Sequence, residues 1–577
     1  MNRRLYHLAV ALLVAALPPA LVAQEEPEQS NPALLELAEE FYDWLDAHRP
    51  VEPFAAVRAR RPPGWSPDWS MTAVQQRKVD YLQFQGRLKA VDALGYGSAD
   101  RIDAHLLGAA MERVHWELEV LARWRRDPGF YLDQSLGSLF ELLIQTPQPV
   151  EVDVEELIRR LHRFPAIINT AKLGLDRTVP LLADAAVARI GELDARVDAL
   201  QEALAPFVSE QLTYDFNVGI RAARQALTSY KDWLTVSRQR FQEPAAIGAQ
   251  RYRWFLGHVA LIPDAPEELQ VETEVALARA GAQLTVTRHR FAGQAETSAL
   301  ESAERLIQMA QISQQELGAF LNAANLLTLS GQFADFAVTA LPPSLAPIAA
   351  EGERMAFSLD GNFETRRYVL AQRDDAGYLE SLAWADPRLL IAWDGVPGRH
   401  AQLRAASSHP RQLRRRASGV TLSEGLALYT HEQVMEAGLY AFRPASQVGA
   451  LEVLRYHAAL AHADIRLAGE DWSTGKTADF LAAQTGISRS RAESELHDLL
   501  AYPGKAGAAF AAYLQVIRFL ADAAGARGED FSLREFNDRL LENAHVPVAL
   551  QRWEMLGLED ELDRLTEQRG RPATVPQ

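Results

Sequence analysis

NPALLELAEEFYDWL, residues 31–45, sets the reading of the chain. Asn31 is a residue type that caps helices, and Pro32 follows at the first helical position, where no hydrogen bond is lost. Leu34, Ala38, Phe41 and Leu45 then fall on one helical face. The same spacing predicts helices over 73–94, 98–125, 151–162, 180–207, 218–241, 265–290, 294–326 and 424–437. The chain is rich in Ala, Leu, Glu and Arg, all strong helix formers. The fold class this implies is all-α, mainly helical. No repeat recurs at a fixed period, which argues against a solenoid.

One segment departs from the pattern. Residues 353–372, ERMAFSLDGNFETRRYVLAQ, alternate around Asp360-Gly361-Asn362 and predict a small β-hairpin. Such a hairpin is either an edge on which an extended peptide can lie or a surface feature with no ligand. Proline-rich breaks at 341–347 and 386–397 read as loops within one domain.

The N-terminus reads as a leader. Arg3 and Arg4 precede an apolar run from Leu8 to Leu17, Pro18 and Pro19 break it, and Leu21-Val22-Ala23 offers a cleavage site. That order is a Sec-type signal peptide over 1–23, with an uncleaved anchor as the alternative. Residues 24–31 are a polar lead-in, 32–565 one large helical domain, and 566–577 a flexible tail. The chain has no cysteine, so it can carry neither a lipid-bearing cysteine nor a disulfide. At 577 residues it is long enough to rely on core burial alone. The formal charge of -17 becomes -19 once Arg3 and Arg4 are removed, which argues against nucleic acid. A periplasmic or secreted protein is expected, without a transmembrane anchor after cleavage. The oligomeric state is left open.

The chemistry concentrates between Leu390 and Gly507. Three landmarks stand there: Trp393-Asp394-Gly395-Val396-Pro397-Gly398-Arg399-His400-Ala401-Gln402, then Ser423-Glu424-Gly425-Leu426-Ala427-Leu428-Tyr429, then Tyr502-Pro503-Gly504-Lys505-Ala506. A zinc peptidase needs imidazole and carboxylate ligands around one ion and a further carboxylate to take a proton from the bound water. His400 and Glu424 fit two ligands, and Asp394 fits the base. No second histidine lies within two turns before His400, so spacing alone equally allows ordinary hydrogen-bonded groups. There is no phosphate-cradling glycine loop and no Gly-x-Ser-x-Gly elbow.

In this order and spacing the landmarks resemble the DUF885 family, whose pattern is His-Glu-x-x-Pro-Gly-His-His-x-Gln, an arginine-rich loop, and Glu-Gly-Trp-Ala-Leu-Tyr. Gly395, Pro397, Gly398, His400 and Gln402 match the first part. Leu413-Arg414-Arg415-Arg416 match the loop, and Glu424, Gly425, Ala427, Leu428 and Tyr429 the second part. Asp464, Trp472-Ser473, Pro503-Gly504 and Leu540 to Val548 extend the likeness over nearly the whole mature chain. The resemblance implies a helical, zincin- or oligopeptidase-like fold with a metal site on these motifs.

The carry-over is incomplete. Trp393 stands where the family has its first histidine, and an indole has only an N–H donor. Asp394 replaces the family's general-base glutamate and is one methylene shorter. Arg399 replaces the first histidine of the pair and stays charged. Ala468 falls at the later histidine, Leu426 at the tryptophan and Lys505 at the glutamine. His400 and Glu424 remain as residual metal positions, and two ligands do not make a tight zinc site. His431 lies about 10 Å along the helix from Glu424, too far to share one ion. His457 and His462 on a later helix, and His409 in the connecting loop, are the remaining histidines from which a site could be rebuilt, with an ordinary surface or hydrogen-bonded role as the alternative for each. Arg414 and Arg415, with Tyr429, are candidate substrate-binding residues, the arginines as a carboxylate clamp.

The leading expectation is an exported pseudo-metallopeptidase that keeps a peptide-binding cleft, needs no cofactor and takes a peptide or protein ligand. The alternatives are an active peptidase that binds zinc through an unusual ligand set, and a scaffold that keeps only the fold.

Overall fold

The computed structural model describes residues 31–570 apart from 55–59, 92–97, 192, 294–298, 330–334, 353, 358–363, 370–377, 418 and 544. The signal-peptide segment, the hairpin tip at 360–362 and most of the C-terminal tail lie outside the described residues. The chain is 75% helical with one small three-stranded sheet, so the fold class is mainly all-α.

The first helix spans Pro32–His48, with the Asn31 side chain accepting from the backbone N–H of Ala33 at 2.9 Å. It buries Leu34, Leu37, Ala38 and Phe41 against the helices Met71–Ala90 and Ser98–His115. The segment expected to be helical over 98–125 is interrupted. It passes through a wide turn at Trp116–Val120, and Ala122 then takes a left-handed φ of 48°. The segment 180–207 is split into Pro180–Ile190 and Leu193–Leu204. Conversely, the helix starting at Glu151 runs on to Gly174 through Pro165.

Three helices form the centre: Val420–Glu436, Pro444–Ala468 and Lys505–Arg527. Helix Pro444–Ala468 is buried on most sides by small residues such as Ala450, Ala458, Ala459, Ala461 and Ala463, the pattern of an interior helix. Helices Val420–Glu436 and Lys505–Arg527 touch at Gly425. A Cβ there would lie 2.6 Å from the Ala509 carbonyl oxygen and 2.8 Å from Ala512 Cβ, so glycine permits the backbones to meet. The motif glycine thus has a packing reason that needs no ligand.

The predicted hairpin exists as β2 (Met355–Phe357) paired antiparallel to β3 (Thr365–Val369), with Met355 opposite Arg367. A strand not foreseen, β1 (Phe336–Ala340), pairs parallel to β3 on its other side. The sheet order is therefore β1-β3-β2, and β3 has no free edge to offer a peptide. The loop expected at 386–397 contains a short helix, Arg388–Asp394, every residue of which is buried. Among the described residues no helix is long and apolar enough to cross a membrane.

Candidate functional site

The buried helix Arg388–Asp394 is anchored at its start by Asp386, which accepts from the Arg388 backbone N–H at 3.0 Å and pairs with the Arg388 guanidinium at 2.6 Å. Its last two residues, Trp393 and Asp394, emerge into a cleft. The chain then turns through Gly395–Gly398. A Cβ on Gly398 would stand 1.9 Å from the Trp393 carbonyl oxygen, so this turn tolerates only glycine there. Helix Arg399–Ser407 begins immediately, and successive residues on a helix point about 100° apart. Arg399 lines the cleft. His400 does not. It is fully buried, its Nδ1 lies 2.9 Å from Thr365 Oγ1 on β3, and its ring lies against Phe336 of β1. The cleft-facing position of the pair is thus 399, and the histidine expected as a metal ligand supports the sheet.

The cleft holds about 280 Å³ and is walled by aromatic and charged side chains. Each retained carboxylate has its own cation. Asp394 accepts from Arg367 Nε of β3 at 2.8 Å, and Arg399 Nη1 stands 3.5 Å away. Arg367 also reaches Glu380 at 3.3 Å, and Glu380 pairs with Arg354 at 2.5 Å. Glu424 is paired with Lys505 Nζ at 3.0 Å. Arg399 is therefore the weaker partner of Asp394. The stronger partners, Arg367 for Asp394 and Lys505 for Glu424, come from β3 and from the third landmark.

Lys505 is set in place by Asp464. This buried carboxylate accepts from the backbone N–H groups of Gly504 at 3.1 Å and Gly507 at 3.0 Å, and from Tyr252 Oη at 3.2 Å. It fixes the turn that starts helix Lys505–Arg527. Burial pushes Asp464 up to about 6, against the pull of those hydrogen bonds. Phe54 covers the ammonium, with Lys505 Nζ 3.7 Å from the ring centroid, and meets Tyr502 edge-on at 4.5 Å.

The opposite wall comes from helix Arg489–Ala501, which turns Glu495, Asp498 and Leu499 to the cleft. Asp498 faces open space but is walled in by protein and stands near Glu495, which together push it up to about 6. Tyr378 and Tyr456 stack at 4.1 Å on the same side.

His457 is the one rebuilding candidate among the four histidines that lines the cleft. Its ring stacks on Trp393 at 4.7 Å, and burial lowers it to about 4 while Glu424 and Lys505 act on it in opposite senses. His431 lies against Trp393 too, edge-on at 6.2 Å, but is fully buried, with Nε2 3.3 Å from the Ala450 carbonyl oxygen. His462 bonds Thr273, and His409 accepts from the Arg411 backbone. Among the described residues no three or more His, Cys, Asp or Glu side chains converge as a metal set. The donors that do face the cleft at positions 393, 399 and 505 are an indole and two cations, which do not fit zinc.

The arginine-rich turn sits elsewhere. Arg414 is buried, donating to Asp103 at 2.9 Å and to Glu554 at 2.8 Å, and Arg415 donates to the His409 carbonyl at 2.9 Å. Neither lines the cleft. Tyr429 is buried as well, donating to Asn537 at 2.8 Å, and Ala468 packs in the central core. Among the cleft residues that sequence reading missed are Arg367, Glu380, Asp498 and Tyr456. Their signal is absent from the motifs because they come from four separate elements.

A family model described as a bacterial protein of unknown function, DUF885, matches residues 54–555. Comparison with curated proteins returns no match. A candidate lipoprotein of unknown function from Shewanella oneidensis has a similar structure, with a TM-score of 0.71 at 15% identity over 91% of this chain and 99% of that one. A candidate lipoprotein from Colwellia psychrerythraea superposes with a TM-score of 0.73 at 15% identity, over 93% of this chain and 100% of that one. Both likenesses show a shared fold.

Proposed function

This chain belongs to the DUF885 family of bacterial proteins, and we propose that in this member the cleft binds extended peptide without hydrolysing it. The observation that carries the reading is that fixed cations occupy both motif carboxylates. Lys505 sits at 3.0 Å from Glu424, and Arg367 at 2.8 Å from Asp394. A carboxylate bound to a guanidinium is a poor proton acceptor, because the ion pair favours its charged form. Both motif carboxylates are thus engaged by cations, and among the described residues no three or more metal-ligating side chains converge. The cleft retains what a peptide needs: stacked aromatic walls for side chains and alternating charges for backbone and termini.

Export to the bacterial envelope accompanies this reading. Support comes from the apolar run at Leu8 to Leu17 behind Arg3 and Arg4, and from the lipoprotein description of the two similar structures.

The test is fluorescence anisotropy with labelled peptides of mixed sequence, followed by mass spectrometry of the same mixtures. The expected result is saturable binding with every peptide intact. Ala506→Trp, which fills the cleft, should weaken binding at least about tenfold. Cleavage products that vanish in Glu424→Gln, together with about one zinc per chain by elemental mass spectrometry, would replace this reading with the active-peptidase one. Absence of any peptide binding would leave the scaffold reading.

A further inference from the structure

Helix Pro444–Ala468 serves two places at once. Tyr456, His457 and Leu460 face the peptide cleft, whereas Arg455, His462 and Arg466 face the other way, about 150° around the helix at 100° per residue. The second face lines an open groove of about 530 Å³, closed by helices Pro266–Arg290 and Thr474–Thr485. We propose that this groove binds a phosphate monoester.

The groove concentrates positive charge in a chain whose formal charge is -17. Arg455, Arg466 and Lys476 line it, and Glu274 is its one carboxylate among the described residues. Three cations against one carboxylate leave two positive charges in excess, the complement of a phosphate monoester dianion. A carboxylate ligand would neutralise only half of that. Asp471, 3.6 Å from Arg466, is half exposed and stands outside the lining. His462 does not add to the charge, because burial lowers it below its ordinary value.

The cations are held in position. Arg466 and Lys476 both lie over the Trp472 ring, at 5.4 and 4.8 Å from its centroid. Arg455 is steered by Gln484, to which it donates at 3.1 Å. Lys476 has no ion-pair partner among the described residues. Three N–H donors around the groove are buried without a hydrogen-bond partner: Nε of Arg455, Nε of Arg466 and Nε1 of Trp472, whose side chain is only 9% exposed. A side-chain shift that uncovers one of these donors would add a hydrogen bond to an anion already held by the three cations. The floor is open at Gly281, where an added Cβ meets nothing within 4 Å.

The experiment is isothermal titration of the full chain with glycerol 3-phosphate at low ionic strength, where the attraction is least screened. Saturable binding at one site is expected. Arg466→Gln combined with Lys476→Gln should weaken it at least about tenfold while the melting temperature holds. Gly281→Leu should weaken it too, since it blocks the floor and leaves every charge in place. Sedimentation with vesicles containing phosphatidic acid, but not with phosphatidylcholine alone, would assign the phosphate to a lipid headgroup. Titration by the soluble ester without sedimentation would assign it to a free metabolite. The proposal fails if neither probe binds, if acetate binds as tightly as the ester, or if all the variants bind like the parent chain. Peptide binding in the cleft is a separate readout that none of these variants should change.

Discussion

Asp394 shows how one residue decides the chemistry. Its carboxylate is 3% exposed and lies between two guanidinium groups, Arg367 at 2.8 Å and Arg399 at 3.5 Å. Removing one partner of a buried pair leaves a charge without compensation, which costs about 3–5 kcal/mol. Arg367 is the larger loss, because it also holds Glu380, whose side chain is wholly buried. Arg367→Ala should therefore lower the unfolding free energy by about 3 kcal/mol or more, and Arg399→Ala by about 1 kcal/mol. Urea denaturation of the two variants checks the order. An equal loss in both would show that the cleft's charges are not paired as described. The motif singles out Asp394, and the structure places it at the cleft. The motif could not find Arg367, because a strand residue 27 positions upstream is joined to it only by folding.

At the scale of elements, the turn from Tyr502 to Lys505 is held by Asp464 across 40 residues. Helix termini leave backbone N–H groups without partners, and a carboxylate is a strong acceptor for them. Burial nevertheless raises Asp464 from the ordinary 3.8 to about 6. A raised carboxylate binds its proton more tightly in the folded state than in the unfolded one. Its contribution to stability is then fully present below about 3.8 and is lost as the pH rises through about 6. Asp464→Asn removes the titration and keeps the shape. The stability of the parent chain relative to this variant should fall by up to about 3 kcal/mol between pH 4 and pH 7, by the linkage of two pKa units. Chemical unfolding at both pH values measures it, and a pH-independent difference would contradict the assigned burial. Helices themselves were readable, since Pro32–His48 starts at its cap and Pro266–Arg290 falls where the spacing predicts. Strand β1 was not, because a five-residue segment carries too little periodicity to stand out from an apolar loop.

For the whole molecule, the arginine-rich turn is a tie between distant parts of the chain. Arg411 and Arg414 both bond Asp103, Arg414 also bonds Asn543 and Glu554, and Asp100 beside them accepts from the Asn31 backbone at 3.0 Å. The N-terminal helix, the central turn and the helix Val548–Leu556 are thereby joined through one buried network. Arg414→Ala should cost about 3–5 kcal/mol of stability and leave peptide affinity unchanged in the folded fraction. Arg415→Ala, exposed and bonded only to carbonyl groups, should stay within about 0.5 kcal/mol. Urea unfolding combined with peptide anisotropy separates the two. A loss of affinity without a loss of stability in Arg414→Ala would return that residue to the candidate substrate-binding set.

Composition and spacing by themselves determined the helical class, the acidic surface charge and the place of the hairpin, because these depend on local periodicity and on sums over residues. The landmarks between Leu390 and Gly507 contain Trp393, Asp394, Glu424 and Lys505, which line one cleft. Which side chains share the cleft was decided only by tertiary structure. His400 and Arg399 are neighbours in sequence, yet one turn of direction sends the histidine under the sheet and the guanidinium into the cleft. Glu424 and Lys505 are 81 positions apart and meet because Gly425 lets two helices approach until their backbones touch. A motif names residue types along the chain, whereas the direction of each side chain is set by packing against elements that the motif does not contain.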